Sequence, residues 1–133
     1  MRKTGLWFAR GVAAYALLVF AFLAYLYIVE PAAHIAPFGV SISGSPESLN
    51  FLRAGPGALF LGMAILAADG LARPVRLLPA LQVLVVLNAC VVGVRLLGIA
   101  VDGVTAMQLS ELRDEGLSWL LFVAALAAHP RPR

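Results

Sequence analysis

The stretch that decides the fold is residues 77–102, LLPALQVLVVLNACVVGVRLLGIAVD, an apolar run long enough for one helix. It carries Asn88, Arg95 and Asp102 at intervals of seven residues. Seven residues are almost two α-helical turns, so these three side chains lie on nearly one stripe of a helix. A guanidinium and an amide are costly to place at membrane depth, and this stripe is therefore the first candidate for a functional site.

The composition of the whole chain indicates a membrane protein. Of its 133 residues, 62% are hydrophobic and 13% are charged, and a soluble core of this size cannot bury such an apolar excess. The formal charge of +3 is spread in ones and twos between apolar runs, which argues against a nucleic-acid-binding surface. The single cysteine, Cys90, excludes an intrachain disulfide, and His34 and His129 stand alone, so no metal site is predicted.

Four helix-length segments predict an all-α integral membrane protein, an antiparallel four-helix bundle that forms a single transmembrane domain over residues 1–133. The predicted helices cover about residues 6–29, 46–69, 75–101 and 107–128. Each segment, with its flanking polar residues, is long enough to cross a hydrocarbon layer of about 30 Å. The basic N-terminus resembles a signal peptide, but the apolar run that follows is too long for one, so an uncleaved spanning helix is predicted.

The second predicted helix carries clear local signals. Residues 45–47, Ser-Pro-Glu, supply an N-cap, a proline for the first helical position and an acid for the first turn. The preceding residues, Glu30 to Gly44, contain too many prolines and glycines for a regular element and are predicted to form an external loop. Pro56 predicts a kink that frees a carbonyl beside Arg53. Small residues that let membrane helices approach closely recur every four positions, at Ala54, Ala58 and Gly62.

The basic residues predict the orientation, because cytoplasmic flanks of membrane helices accumulate lysine and arginine. Four crossings with the N-terminus inside place seven basic residues on the cytoplasmic side: Arg2, Lys3, Arg10, Arg73, Arg76, Arg131 and Arg133. The same arrangement places three on the outer side: Arg53, Arg95 and Arg113. Both termini are therefore predicted to be cytoplasmic, in a multi-pass protein of the cell's inner (plasma) membrane.

Counting about 1.5 Å per residue from the inner helix ends puts Arg53, Arg95 and Glu115 in the outer half of the membrane. Asn88 lies below Arg95 on the same helix, and Asp102 lies in the headgroup region. In one interpretation the arginines and Glu115 neutralise one another and hold the helices in register. In a second they line an outward-opening pocket for a carboxylate, a phosphate or a quinone-like oxygen, since an arginine fork suits such groups. A third interpretation is an interface with another membrane subunit.

No catalytic motif accompanies this polar zone. Residues 55–57, Gly-Pro-Gly, do not form a phosphate-binding loop, because no strand precedes them and no Gly-Lys-Ser/Thr follows. Two distant histidines do not supply a Ser/His/Asp arrangement. The sequence therefore leans towards a non-enzymatic role, without deciding the question, and it predicts no catalytic residue and no particular cofactor.

Several short motifs resemble those of an uncharacterised bacterial family of four-helix membrane proteins, similar in general shape to DoxX-like proteins. They are Arg53-Ala54 followed by the glycine-rich residues 55–62, then residues 92–98, VGVRLLG, with Asp102-Gly103, and an acid that opens the last helix. The resemblance implies a four-helix membrane fold and makes Arg53, Arg95 and Glu115 the counterparts of the family's polar residues. The family has no agreed activity, so the resemblance adds little about function.

Two hypotheses of function follow. The first is a non-enzymatic accessory subunit that packs in the bilayer beside a larger membrane complex or beside copies of itself. The second is a ligand-binding or redox-associated protein that holds a small anionic or quinone-like ligand, with the candidate ligand-binding residues Arg53, Arg95, Glu115, Asn88 and Asp102. A pore is disfavoured, because one small bundle offers too few polar residues to line it.

Overall fold

The computed structural model describes residues 2–130, with side chains from residue 3 onward, and no strand occurs among them. The helices are α1 (Arg2–Val29), α2 (Pro31–Ile35), α3 (Pro46–Leu52), α4 (Ala58–Ala72), α5 (Pro74–Asp102) and α6 (Ala106–Ala128). A 3-10 turn, Ala36–Phe38, follows α2, and a π-helical turn, Arg53–Gly57, joins α3 to α4. The predicted cytoplasmic placement of Arg131 and Arg133 falls outside the described residues.

Three helical segments of the described chain are long and apolar enough to cross a membrane: Lys3–Val29, Pro46–Ala72 and Pro74–Asp102. The second, here called the composite helix, consists of α3, the π-helical turn and α4. At about 1.5 Å per residue, each segment exceeds the roughly 30 Å of a hydrocarbon core. These lengths and compositions indicate a multi-pass membrane protein. The 23-residue helix α6 is not among the three segments, and its first half carries Glu111, Arg113, Asp114 and Glu115.

Local sequence signals explain where the helices begin and end. The predicted N-cap is confirmed, because the Ser45 hydroxyl accepts a hydrogen bond from the Ser48 backbone N–H at 3.3 Å. At the start of α6, Thr105 and Gln108 form a capping box in which each side chain accepts from the other's backbone N–H. Gly103 ends α5 with φ of 95°, a backbone conformation that side-chain-bearing residues rarely adopt. These caps satisfy backbone groups that a helix end leaves unpaired.

The prediction of an irregular loop over Glu30 to Gly44 is partly wrong, because α2 and the 3-10 turn lie within it. Pro31 occupies the first position of α2, where a missing backbone N–H costs nothing and the fixed φ favours a helix. Gly39, with φ of 74°, then ends the 3-10 turn. Pro31 and Pro37 therefore occupy the first or second position of short helical turns instead of excluding them.

The described chain divides into two compact units. The first unit contains the residues up to Ala13 and those from Asp69 onward, and in it α5 and α6 pack along each other. Gly5 lies so close to the end of α6 that a Cβ there would overlap the carbonyl oxygen of Ala128. The buried residues of α5 all lie in its first half: Leu77, Ala80, Leu81, Leu84 and Asn88. Phe122 and Ala125 are the buried residues of α6.

The second unit runs from Ala14 to Ala68 and contains the second half of α1 with most of the composite helix. Aromatic rings join these segments. The rings of Phe20 and Phe60 are stacked with centroids 6.1 Å apart, and Tyr27 lies 5.5 Å from Phe60. His34 of α2 packs edge-on against Tyr27, with ring centroids 4.6 Å apart. Helix α2 is therefore attached to α1 through this aromatic cluster.

Candidate functional site

The central polar contact of the first unit joins α5 to α6. The Nε and Nη2 atoms of Arg95 donate to the two carboxylate oxygens of Glu115 in a bidentate pair. A second carboxylate, that of Glu111, lies 3.8 Å from Arg95 Nη2. Glu111 and Glu115 are four residues apart on α6 and therefore present their side chains on one face. We call Arg95, Glu111 and Glu115 the acidic triad, because it holds two carboxylates for one guanidinium.

The pairing of Arg95 with Glu115 confirms one contact expected from the sequence. The side chains are 26% and 22% exposed, so the pair is largely removed from solvent. Bidentate geometry is the strongest form of this interaction and orients both groups. The arrangement neutralises the charge of Arg95 within the chain and leaves one excess negative charge on the triad when both acids are ionised.

Arg53 has a different partner from those predicted. Its Nε atom donates to the carbonyl oxygen of Ile28 at 2.9 Å, within the second unit. Ile28 lies in the last turn of α1, whose final carbonyls have no helical partner, so the guanidinium caps that helix. The predicted meeting of Arg53 with Arg95 and Glu115 stays a prediction.

Next to Arg53, the chain forms a π-helical turn where a kink was expected at Pro56. Pro56 lacks a backbone N–H, and the Ala58 N–H bonds to the Arg53 carbonyl five residues back. A one-turn widening accommodates the proline without breaking the helix. The widened turn places Gly57 against α1, where a Cβ would lie 2.9 Å from Ile28 Cγ1 and 3.3 Å from the Leu52 carbonyl oxygen.

The other two predicted site residues lie on α5 on either side of Arg95. Asn88 is buried, 6% exposed, and its Nδ2 atom donates to the Leu84 carbonyl of the same helix at 2.9 Å. This amide therefore donates to the carbonyl one turn back on its own helix. Asp102 is the last residue of α5 and is exposed. Of the five predicted residues, the structure brings Arg95 and Glu115 together.

Sequence reasoning missed a second charged group at the other end of α5. Arg73 and Arg76 both pair with Asp69, at 3.4 Å and 2.8 Å, and we call these three residues the basic triad. The i,i+4 spacing of Asp69 and Arg73 is the sequence signal that indicates this pairing. The sequence prediction of the site also omits Glu111. Buried nitrogens without a hydrogen-bond partner among the described residues are Trp119 Nε1 and both ring nitrogens of His129.

Two open cavities lie beside polar groups. A groove of about 440 Å³ on α5 is lined by Cys90, Val91, Val94 and Arg95. A smaller one of about 250 Å³ is lined by residues of α1, α2 and their surroundings: Leu26, Glu30, Ala33, His34 and Pro37. Within residues 2–130, no three histidine, cysteine, aspartate or glutamate side chains are grouped as a metal site requires. The groove on α5 is therefore an apolar surface with one guanidinium.

Comparison with models of protein families, with curated proteins and with solved structures finds no match to this chain.

Proposed function

We propose that the protein is a small non-enzymatic integral membrane protein, an accessory subunit that packs beside a larger membrane complex or a second copy of itself. Its four long helical segments would form an antiparallel bundle with both termini cytoplasmic. Support for α6 as the fourth crossing comes from the acidic triad, because Arg95 meets the carboxylates that make α6 polar. Paired charges cost less at membrane depth than isolated ones.

The observation that supports the accessory role is an exposed stripe of small residues on the composite helix. Ala54, Ala58 and Gly62 are exposed, and no atom of the described residues lies within 4 Å of a Cβ built on Gly62. The chain instead uses Met63, Ala64 and Ala67, which are buried, for its own packing. A stripe of small residues that its own chain leaves uncovered offers another membrane helix a close approach.

Gentle-detergent purification followed by native mass spectrometry tests this role. We expect the wild-type chain to run as a dimer or in a larger complex, and Ala58→Leu with Gly62→Leu to release it as a monomer. Gly93→Leu is the matched control, because Gly93 is equally open but lies on α5. A wild-type chain that is strictly monomeric and carries no partner would overturn the proposal.

The groove beside Arg95 favours a second candidate function, the binding of a small quinone-like ligand. The groove is mostly apolar and has a guanidinium at its wall, a combination that suits an apolar molecule with an oxygen acceptor. Organic extraction of purified protein should then release such a molecule, and Val94→Phe, which fills the groove, should abolish its recovery. Leu120→Phe on α6 is the control. Extracts with no bound molecule would argue against this candidate.

The proposed orientation has its own test. In a Cys90→Ala background, a cysteine at the exposed Ser41 should react with a membrane-impermeant maleimide added outside intact cells, and a cysteine at Ala72 should not. The reverse pattern would place the termini outside. The resemblance to a DoxX-like four-helix family also remains a proposal, supported by the Gly/Arg motif around Arg95 and its pairing with an acid of α6.

A further inference from the structure

The surface around the turn from α4 to α5 carries an excess of positive charge. Arg73 and Arg76 share a single carboxylate, that of Asp69, so the basic triad keeps one uncompensated positive charge. Both arginine side chains are more than half exposed, at 58% and 55%. Exposed ion pairs contribute little stability, so these guanidinium groups can turn towards another anion at small cost.

A third cation is fixed beside the same turn. Arg10 Nη2 donates to the carbonyl oxygen of Leu71 at 3.2 Å, two residues before Arg73. Its guanidinium also lies over the ring of Trp7, 5.9 Å from the ring centroid. These contacts belong to one compact unit and hold the start of α1 against the end of α4. They place Arg10 in a defined position near the basic triad.

The sequence supplies no further acid to balance this surface. Residues 1–13 and 69–76 together contain five basic residues and one acidic residue, Asp69. Apolar side chains stand out among the charges, with Trp7 70% exposed and Val75 82% exposed. Arginine beside exposed tryptophan and valine, at the ends of membrane-length helices, suits the boundary where phosphate groups meet acyl chains.

We propose that this surface, formed by Arg10, Arg73 and Arg76 with Trp7 and Val75, binds the phosphate headgroup of an anionic phospholipid. The arginine forks match the paired oxygens of a phosphodiester, and the exposed apolar residues contact the lipid's first methylene groups. Asp69 competes with the phosphate for Arg73 and Arg76, so it sets the affinity. This lipid site goes beyond the accessory role and does not depend on it.

Titration of the purified chain with palmitoyl-oleoyl phosphatidylglycerol or phosphatidylcholine, read by native mass spectrometry, tests the proposal. We expect phosphatidylglycerol to bind more tightly than phosphatidylcholine. Arg73→Gln with Arg76→Gln should weaken phosphatidylglycerol binding by about fivefold per arginine, roughly 25-fold in all. Arg73→Lys with Arg76→Lys should retain most of the affinity. Arg113→Gln, which removes an exposed paired arginine elsewhere, is the matched control.

Asp69→Asn supplies a test with the opposite sign. Removing the competing carboxylate should strengthen phosphatidylglycerol binding, a gain that a misfolded variant would not show. Equal binding of the two lipids, or an Asp69→Asn variant that binds phosphatidylglycerol no better than wild type, would overturn the proposal.

A fluorescence measurement locates the lipid. In a Trp119→Phe background, Trp7 is the remaining tryptophan, and Trp119 Nε1 has no hydrogen-bond partner to lose among the described residues. Brominated phosphatidylglycerol should quench Trp7 more strongly than brominated phosphatidylcholine, and the arginine-to-glutamine pair should remove the difference. Millimolar inorganic phosphate should leave the quenching unchanged. Displacement of the lipid by phosphate would show a general anion site and contradict the assignment to lipid.

Discussion

The two charged triads lie towards the two ends of α5 and are built in opposite proportions. The basic triad joins two arginines to one aspartate, and the acidic triad joins two glutamates to one arginine. The basic triad's arginines are more than half exposed, whereas Arg95 and Glu115 are about three-quarters covered. The Asp69 pairs are local, but Arg95 and Glu115 are 20 residues apart and join two helices.

This difference separates two uses of an ion pair. Close sequence spacing and solvent make the basic triad a labile surface feature, suited to exchanging partners. Burial and long-range geometry make the Arg95–Glu115 pair a structural tie between α5 and α6. The packing around Gly70 and Gly93 differs in the opposite sense, because the tighter packing is at the end of α5 with the weaker ion pairs. A Cβ at Gly70, beside the basic triad, would lie 3.0 Å from Ala80 Cβ and 3.3 Å from Leu77 Cα, whereas Gly93, near Arg95, is open. The structure at the end of α5 near the basic triad therefore depends on packing, and the structure at the end near Arg95 depends on charge.

The largest expected effect comes from Glu115→Gln, which breaks the structural tie. It removes the bidentate partner of Arg95, which stays largely covered beside the more distant Glu111, so the free energy of unfolding should fall by about 2 kcal/mol, less than for a fully buried pair. Unfolding in mixed micelles of increasing dodecyl sulfate measures it. Arg113→Gln should change the transition little. An unchanged transition in Glu115→Gln would mean that the two triads do not differ.

Gly70→Ala tests the packed end and should have the next largest effect. The new methyl group meets a stiff alanine and helix backbone, so we expect a net loss of about 1 kcal/mol despite the better helix propensity of alanine. Gly93→Ala in open space should be neutral or should gain up to about 1 kcal/mol. The same unfolding titration compares them. Equal changes in the free energy of unfolding at Gly70 and Gly93 would show that packing does not distinguish the two ends of α5.

Glu111→Gln should have a smaller effect, about 0.5 kcal/mol, since its carboxylate is 3.8 Å from Arg95 and 37% exposed. Combined with Glu115→Gln, however, it should cost more than the sum of the two single changes, because each acid can replace the other beside Arg95. A double-mutant cycle measures this coupling. Additive changes in the free energy of unfolding would show that Glu111 does not contribute to the contact between α5 and α6.

The smallest effect on stability is expected for Asp69→Asn. Its pairs with Arg73 and Arg76 are solvent-screened, so the unfolding transition should stay near that of wild type in buffers from low to high salt. A transition as strongly shifted as that of Glu115→Gln would make the basic triad a second structural tie.

Parts of the site were predictable because they follow from helix periodicity. Once Asn88, Arg95 and Asp102 are placed at seven-residue spacing and the link after α5 is short, an acid of α6 is the natural partner for Arg95. The capping of α1 by Arg53 was not predictable, because it depends on the π-helical turn around Pro56. Neither was the contact of Arg10 with Leu71, since 61 residues separate them and no sequence spacing relates them.

The sequence by itself determined the all-helical class, three segments of membrane-spanning length and apolarity, and the start of the second at Ser45, since these depend on local composition and capping. The tertiary structure decided how the charges are shared. The distances between separate helices determine which carboxylate pairs with Arg95 and which carbonyl accepts a hydrogen bond from Arg53. They also determine which arginines stay exposed. Hydrophobic periodicity specifies the face of a helix, but only packing specifies what that face meets.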